Sequence, residues 1–408
     1  MEQITENATP IRQTTPVPAP KALTETDYMK SAYSRGGLGL TALYGILQGV
    51  GTIFLIIGGV IAAVVALLPQ IKGAGMEDFS VSGILEMLQQ SGAMGWVIGL
   101  YVIGMAVGMT VGLLVMRKIA TRPTPIEKRS LSFGQFLTVA LMAYGLWGIG
   151  IVLGNFPAFF GVQEPNSIDQ LLEGLTWEAL PMYLYTVIGA PLFEELACRK
   201  LLCDRLHPYG EGYAMAASGL LFGLIHGNST QFFLAFLLGM LFAMVYLRTG
   251  KILYTMLLHG MINLTATLSE IVKLFGVHID DAWTIVIIVL GAIGCVALFL
   301  NRRNPLLHPE KSTVPDANNA AWKNVGMLIM RIGGLVLLAV NDLTAMLLTL
   351  VTGMMSGEPG AMLGLLRLIP LALAFVVVLL LPRWTRRFEP TEEPEELNHG
   401  IEGTAVVS

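Results

Sequence analysis

The chain has 408 residues, 54% of them hydrophobic and 13% charged, with a net charge of −4 and a mean hydropathy of +0.66. Soluble domains carry roughly 25% charged residues, so a water-soluble globular fold is excluded, and no nucleic-acid partner is expected. The three cysteines, Cys198, Cys203 and Cys295, lack paired spacing, which argues against a disulfide framework and a thiolate zinc site.

In chain order, residues 1–38 read as a disordered cytoplasmic arm, rich in Thr, Pro and Glu and without the apolar stretch of a cleavable signal peptide. Apolar blocks then recur at lengths that cross a hydrocarbon core of roughly 30 Å at about 1.5 Å per residue. The expected spans are 40–68 and 94–116 in an N-terminal section (39–130), then 133–156, 180–204, 213–228, 231–248, 252–271 and 283–301 in a core section (131–302). Two more, 325–352 and 361–382, form a C-terminal section (303–387), followed by an acidic, Pro-containing disordered tail (388–408). The fold class is therefore all-α, a polytopic transmembrane bundle of about ten helices.

Basic residues orient this bundle, because cytoplasmic loops collect them. With the N-terminus inside, Arg12 to Arg35, Arg117 to Arg129, Arg205, Arg248 with Lys251, Arg302 to Lys323 and Arg383 to Arg387 all face the cytoplasm, whereas the outer loops hold only Lys72 and Lys273. The expectation is a multi-pass protein of a bacterial cell membrane with both termini cytoplasmic. Glycines of the first span, such as Gly39, Gly51 and Gly58, suit close helix packing. Arg331 and Arg367 can snorkel, and Asn341 with Asp342 suggests a polar interhelical contact.

Ionisable residues inside a membrane helix are costly and mark functional sites by default. Three segments concentrate them. In Phe193-Glu194-Glu195-Leu196-Ala197-Cys198-Arg199, Glu195 and Arg199 are four apart and share a face, leaving Glu194 unpaired about 100° away. Phe222 stands four residues before His226, and His259 four before Asn263. At 1.5 Å per residue, Glu194 lies roughly 16 Å from Arg205, His226 roughly 20 Å from Tyr213, and His259 and Asn263 roughly 12 to 18 Å from Lys251. All four converge near mid-bilayer, reached from the cytoplasmic side.

These segments resemble the EExxxR, FxxxH and HxxxN motifs of the CPBP family, which includes CAAX proteases, bacteriocin-processing enzymes and Ras-converting endopeptidases. All three are present in order, without substitution, and the resemblance covers about residues 130 to 300. It implies an intramembrane endopeptidase acting on membrane-proximal peptides or proteins, prenylated CAAX-like tails among them, in contact with lipid.

The residue types suit peptide hydrolysis. A carboxylate in apolar surroundings is a better general base, so Glu194 with His226 is expected to activate water. His259 and Asn263 would donate to the oxyanion, while Glu195, Arg199 and Phe222 support them. No cofactor is favoured; the rival is a divalent metal such as zinc on Glu194, His226 and His259, with an open fourth position. Two other readings compete: a transporter or proton-relay protein, since buried acids and histidines also serve as relays, and a non-catalytic immunity or assembly scaffold.

Overall fold

The computed structural model describes residues 25–71, 91–155, 177–226 and 229–304, and among these all regular structure is helical. In chain order the helices are α1 (Glu25–Ile71), α2 (Met94–Ile119), α3 (Phe133–Gly154), a segmented α4 over 177–209, α5 (Glu211–Leu224), α6 (Ser229–Thr249), α7 (Ile252–Lys273) and α8 (Asp280–Leu300). The protein is an all-α, multi-pass membrane bundle. Among the described residues six stretches are long and apolar enough to cross a bilayer: Arg35–Val65, Met94–Ile119, Phe133–Gly154, Gln231–Thr249, Ile252–Lys273 and Asp280–Leu300. The expected spans 180–204 and 213–228 correspond to α4 and to the shorter α5. Those at 325–352 and 361–382, with the tail 388–408, lie outside the described residues.

The arm expected over 1–38 is corrected in part, because it is already helical from Glu25. Tertiary contact accounts for this. Ala32 and Leu38 are buried, Arg35 Nε donates to Ile119 O at 2.7 Å, and a Cβ on Gly36 would lie 2.8 Å from Leu202. The docking partners lie far away in the sequence, so no local period betrays such contact.

Backbone proximity joins the helices pairwise. Along α2, a Cβ at Gly104, Gly108 or Gly112 would meet Phe54, Leu47 or Leu43 of α1 at 2.5 to 2.9 Å. Small residues at four-residue spacing let membrane helices approach this way, where lipid removes the hydrophobic drive for association. The crossing of α3 and α8 is tighter: a Cβ on Gly145 would overlap Gly294 C, and one on Gly294 would overlap Gly145 N.

A linker between α2 and α3 straps one end of the bundle. Arg205 Nε donates to Thr121 O, Thr124 N–H to Asp204 O at 2.7 Å, and Arg129 N–H to Thr249 O at 2.8 Å. Gly250 turns the chain from α6 to α7 at φ +59°, and a Cβ there would also strike Glu127 O at 2.7 Å. The strap ends in a capping box, with the Ser132 side chain on Gln135 N–H and the Gln135 side chain on Ser132 N–H. Arg117, Lys118, Arg122, Lys128, Arg205, Arg248 and Lys251 therefore gather at one end. At the opposite end Lys273 is paired with Glu270 and Asp280.

Candidate active site

α4 carries the adjacent glutamates and departs from the regular helix expected over 180–204. Regular turns at Leu180–Leu184 and Ala190–Glu195 alternate with π-helical turns at Tyr185–Gly189 and Leu196–Cys203. Such widened turns are frequent at functional sites. Pro191 explains the first one, since it has no N–H to continue the α pattern and Ala190 N–H bonds back to Tyr185 O, five residues away. The two glutamates leave α4 on different sides. Glu195 is fully buried, whereas the Glu194 side chain keeps 17% of its surface exposed.

Glu195 bridges Arg199 and His259. Its Oε2 lies 3.2 Å from Arg199 Nε, an ion pair between two wholly buried side chains. Its Oε1 accepts from His259 Nδ1 at 3.0 Å. The Arg199 alignment is oblique: Glu195 Oε2, Arg199 Nε and Arg199 Nη1 complete no hydrogen bond among the described residues, while Nη2 donates to Gly239 O at 3.2 Å. The guanidinium carbon sits 4.5 Å from the Phe222 ring centroid and 5.5 Å from that of Phe242. Two aromatic faces thus replace part of the lost hydration by attraction to the ring quadrupoles.

With Nδ1 held by Glu195, His259 turns Nε2 toward Glu194, whose Oε2 is 3.9 Å away, beyond hydrogen-bond range. The Phe222 ring stands edge-on to both imidazoles, 5.6 Å from His259 and 5.0 Å from His226. It is the wedge that separates them. His226 lies just past α5, in the turn after Leu224 rather than inside the span expected over 213–228. There its Nδ1 bonds Phe222 O at 2.7 Å, capping one of the carbonyls that a helix C-terminus leaves unpaired. A carbonyl only accepts, so Nδ1 carries the proton and Nε2 the lone pair. Glu194, His259 and Arg199 are the neighbouring groups whose electrostatics act on this ring.

Asn263 stands one turn beyond His259 on α7, and its Nδ2 donates to Thr186 O on α4 at 2.8 Å. The structure thus brings Glu194, Glu195, Arg199, Phe222, His226 and His259 into one cluster and docks Asn263 on the backbone beside it. Among the described residues no three His, Cys, Asp or Glu side chains are grouped to hold an ion.

Residues 176–265 match the family model described as type II CAAX prenyl endopeptidase Rce1-like. The stretch contains Glu194, His226, His259 and Asn263. That stretch is similar to the CPBP/CAAX protease family. A Bacillus subtilis (strain 168) protein, provisionally named membrane peptidase YdiL, is 27% identical over 169 residues, covering 38% of this chain. The chain spans about 64% of that relative's length. No solved structure matches the chain.

Within this stretch, sequence reasoning overlooked three contributors. Phe242 and Gly239 O, both on α6, complete the Arg199 cage, although α6 reads as a plain apolar span. Thr186 contributes only its carbonyl, which no residue type advertises. The usable signal was Pro191, whose missing N–H marks an unpaired carbonyl one turn upstream.

Proposed function

We propose that the chain is an intramembrane endopeptidase of the glutamic type, with Glu194 as general base. The carrying observation is that Glu194 faces His259 Nε2 at 3.9 Å, while the Nδ1 atoms of His259 and His226 are committed to Glu195 and to Phe222 O. In this reading His259 and His226 both act on the chemistry through Nε2. A water held by Glu194 and the His226 Nε2 lone pair would attack the scissile carbonyl carbon as Glu194 takes its proton. The C–N bond then breaks as Glu194 returns that proton to the departing amine.

The oxyanion falls to the α7 side. With Nδ1 given to Glu195, His259 presents Nε2 to the developing oxyanion. Asn263 adds the amide hydrogen that Thr186 does not use. Removing one such donor typically lowers turnover by about 10²- to 10³-fold. Glu195 and Arg199 act through His259, and Phe222 spaces the two rings.

The substrate class proposed is a membrane-proximal peptide or protein, with prenylated CAAX-like tails the first to try, delivered from lipid. The gathering of basic residues at the strapped end supports a site reached from the cytoplasm, with both termini on that side. The test compares membrane-peptide mass spectra from cells holding the parent protein or Glu194→Gln, followed by cleavage with purified protein in detergent. Loss of products with Glu194→Gln and with His226→Ala is expected, and insensitivity to chelators. Unchanged cleavage of a confirmed substrate by either variant overturns the mechanism.

A further inference from the structure

The environment of Thr186 O carries a consequence for how the two halves of the site are held in register. In the π turn, Ala190 N–H is used by Tyr185 O. The next donor along the chain that can reach Thr186 O in that pattern is residue 191, which is proline and has none. A carbonyl left in this way inside a membrane protein needs a partner from elsewhere, because an unsatisfied backbone group costs heavily in hydrocarbon. Asn263 Nδ2 supplies it at 2.8 Å. Val187 O, which in a regular helix would also bond residue 191, faces Gly260 instead: a Cβ there would lie 3.2 Å from that oxygen and 4.0 Å from Pro191 Cγ. Gly260 and Asn263 are three apart on α7 and therefore share a face.

We infer that Pro191, Thr186 O and Asn263 form a latch that docks α7 on α4, and that Asn263 is a positioning residue in addition to any direct contact with substrate. The latch lies between the two reacting groups. Three residues after Pro191 comes Glu194, and four residues before Asn263 comes His259, so the join fixes how far Glu194 stands from His259 Nε2. Proline opens the carbonyl, the absent side chain at Gly260 lets α7 approach, and the carboxamide closes the contact. In its effect on turnover the inference rests on the peptidase reading; in its effect on stability it does not.

A double-substitution cycle tests it. Asn263→Leu keeps the branched shape and removes the donor, and Pro191→Ala restores a backbone N–H able to reach Thr186 O. In the parent background Asn263→Leu should lower the unfolding temperature in detergent by about 2 to 4 °C. In the Pro191→Ala background it should lower it by less than half as much. On a fluorogenic farnesylated CAAX peptide, kcat for Asn263→Leu should fall on the order of a hundredfold with KM within about twofold, again less in the Pro191→Ala background. Equal losses in the two backgrounds overturn the latch, since an oxyanion donor acting on substrate alone is indifferent to residue 191. Should Pro191→Ala fail to fold, Asn263→Leu alone decides: an apolar residue that leaves the unfolding temperature unchanged or higher overturns it. The Glu194→Gln protein serves as control. Its undiminished turnover would sink the peptidase reading while leaving the unfolding temperatures to judge the latch.

Discussion

Where α3 crosses α8 the contact is made of backbone, with Gly145 and Gly294 so close that neither has room for a methyl group. Where α4 meets α5, α6 and α7 the contact is made of charge, with Glu195, Arg199 and His259 buried among Phe222 and Phe242. Both solve the same problem of joining helices in a solvent that offers no hydrophobic reward for association. The glycine crossing does so with dispersion between close backbones and contains nothing that titrates. The charged junction holds groups whose desolvation is repaid only if every partner stays in place. The first therefore tolerates no added volume, and the second no missing partner.

The largest effect should come from removing a partner. Glu195→Ala leaves Arg199 buried without its counter-ion and frees His259, and should lower unfolding free energy by about 3 to 5 kcal/mol, read by thermal unfolding in detergent. A paired Glu195→Leu, Arg199→Met replacement should recover part of that stability while leaving the protein inactive. If the single substitution costs no more than an ordinary surface change, the junction is not held by charge.

Next comes added volume. Gly294→Ala places a carbon against Gly145 N, where helix propensity alone would favour alanine, so a net loss of about 1 to 3 kcal/mol is expected from overpacking. Stabilisation there would show that α3 and α8 stand further apart than that overlap implies.

Tyr246→Phe probes a smaller polar join, where Tyr246 Oη donates to Asp204 Oδ1 at 2.6 Å and Lys200 Nζ approaches Asp204 Oδ2 at 2.6 Å. Lys200 remains to hold the carboxylate, so the expected loss is about 1 kcal/mol. The smallest effect has the opposite sign: Gly99 has open space where its Cβ would be, and Gly99→Ala should raise stability by about 0.5 to 1 kcal/mol. Equal responses at Gly99 and Gly294 would erase the distinction between close-packed and merely helical glycine.

Much of the site was legible because charge in an apolar helix is conspicuous. Glu194, Glu195, Arg199, His226 and His259 stand out by type alone, and the spacing of Glu195 and Arg199 already implied their shared face. What the spacing did not convey is that Glu195 also holds His259, since no local period connects residues 64 apart. Asn263 was expected as a donor, but its partner is a carbonyl of α4 exposed by a proline and a widened turn, both invisible to a regular 3.6-residue count. Phe242 went unmarked for the opposite reason, being one phenylalanine among the apolar residues of α6.

The amino-acid sequence by itself determined the class of molecule, its apolar spans and the presence of three polar motifs at one depth. Those follow from hydropathy and from a fixed rise per residue, which are properties of single segments. Only the tertiary structure decided the pairing of Glu195 with His259, the position of His226 beyond its helix, the π turns of α4 and the docking of Asn263 on Thr186 O. Each of these depends on which donors and acceptors remain after neighbouring helices have packed, and that is set by contacts between segments rather than within them.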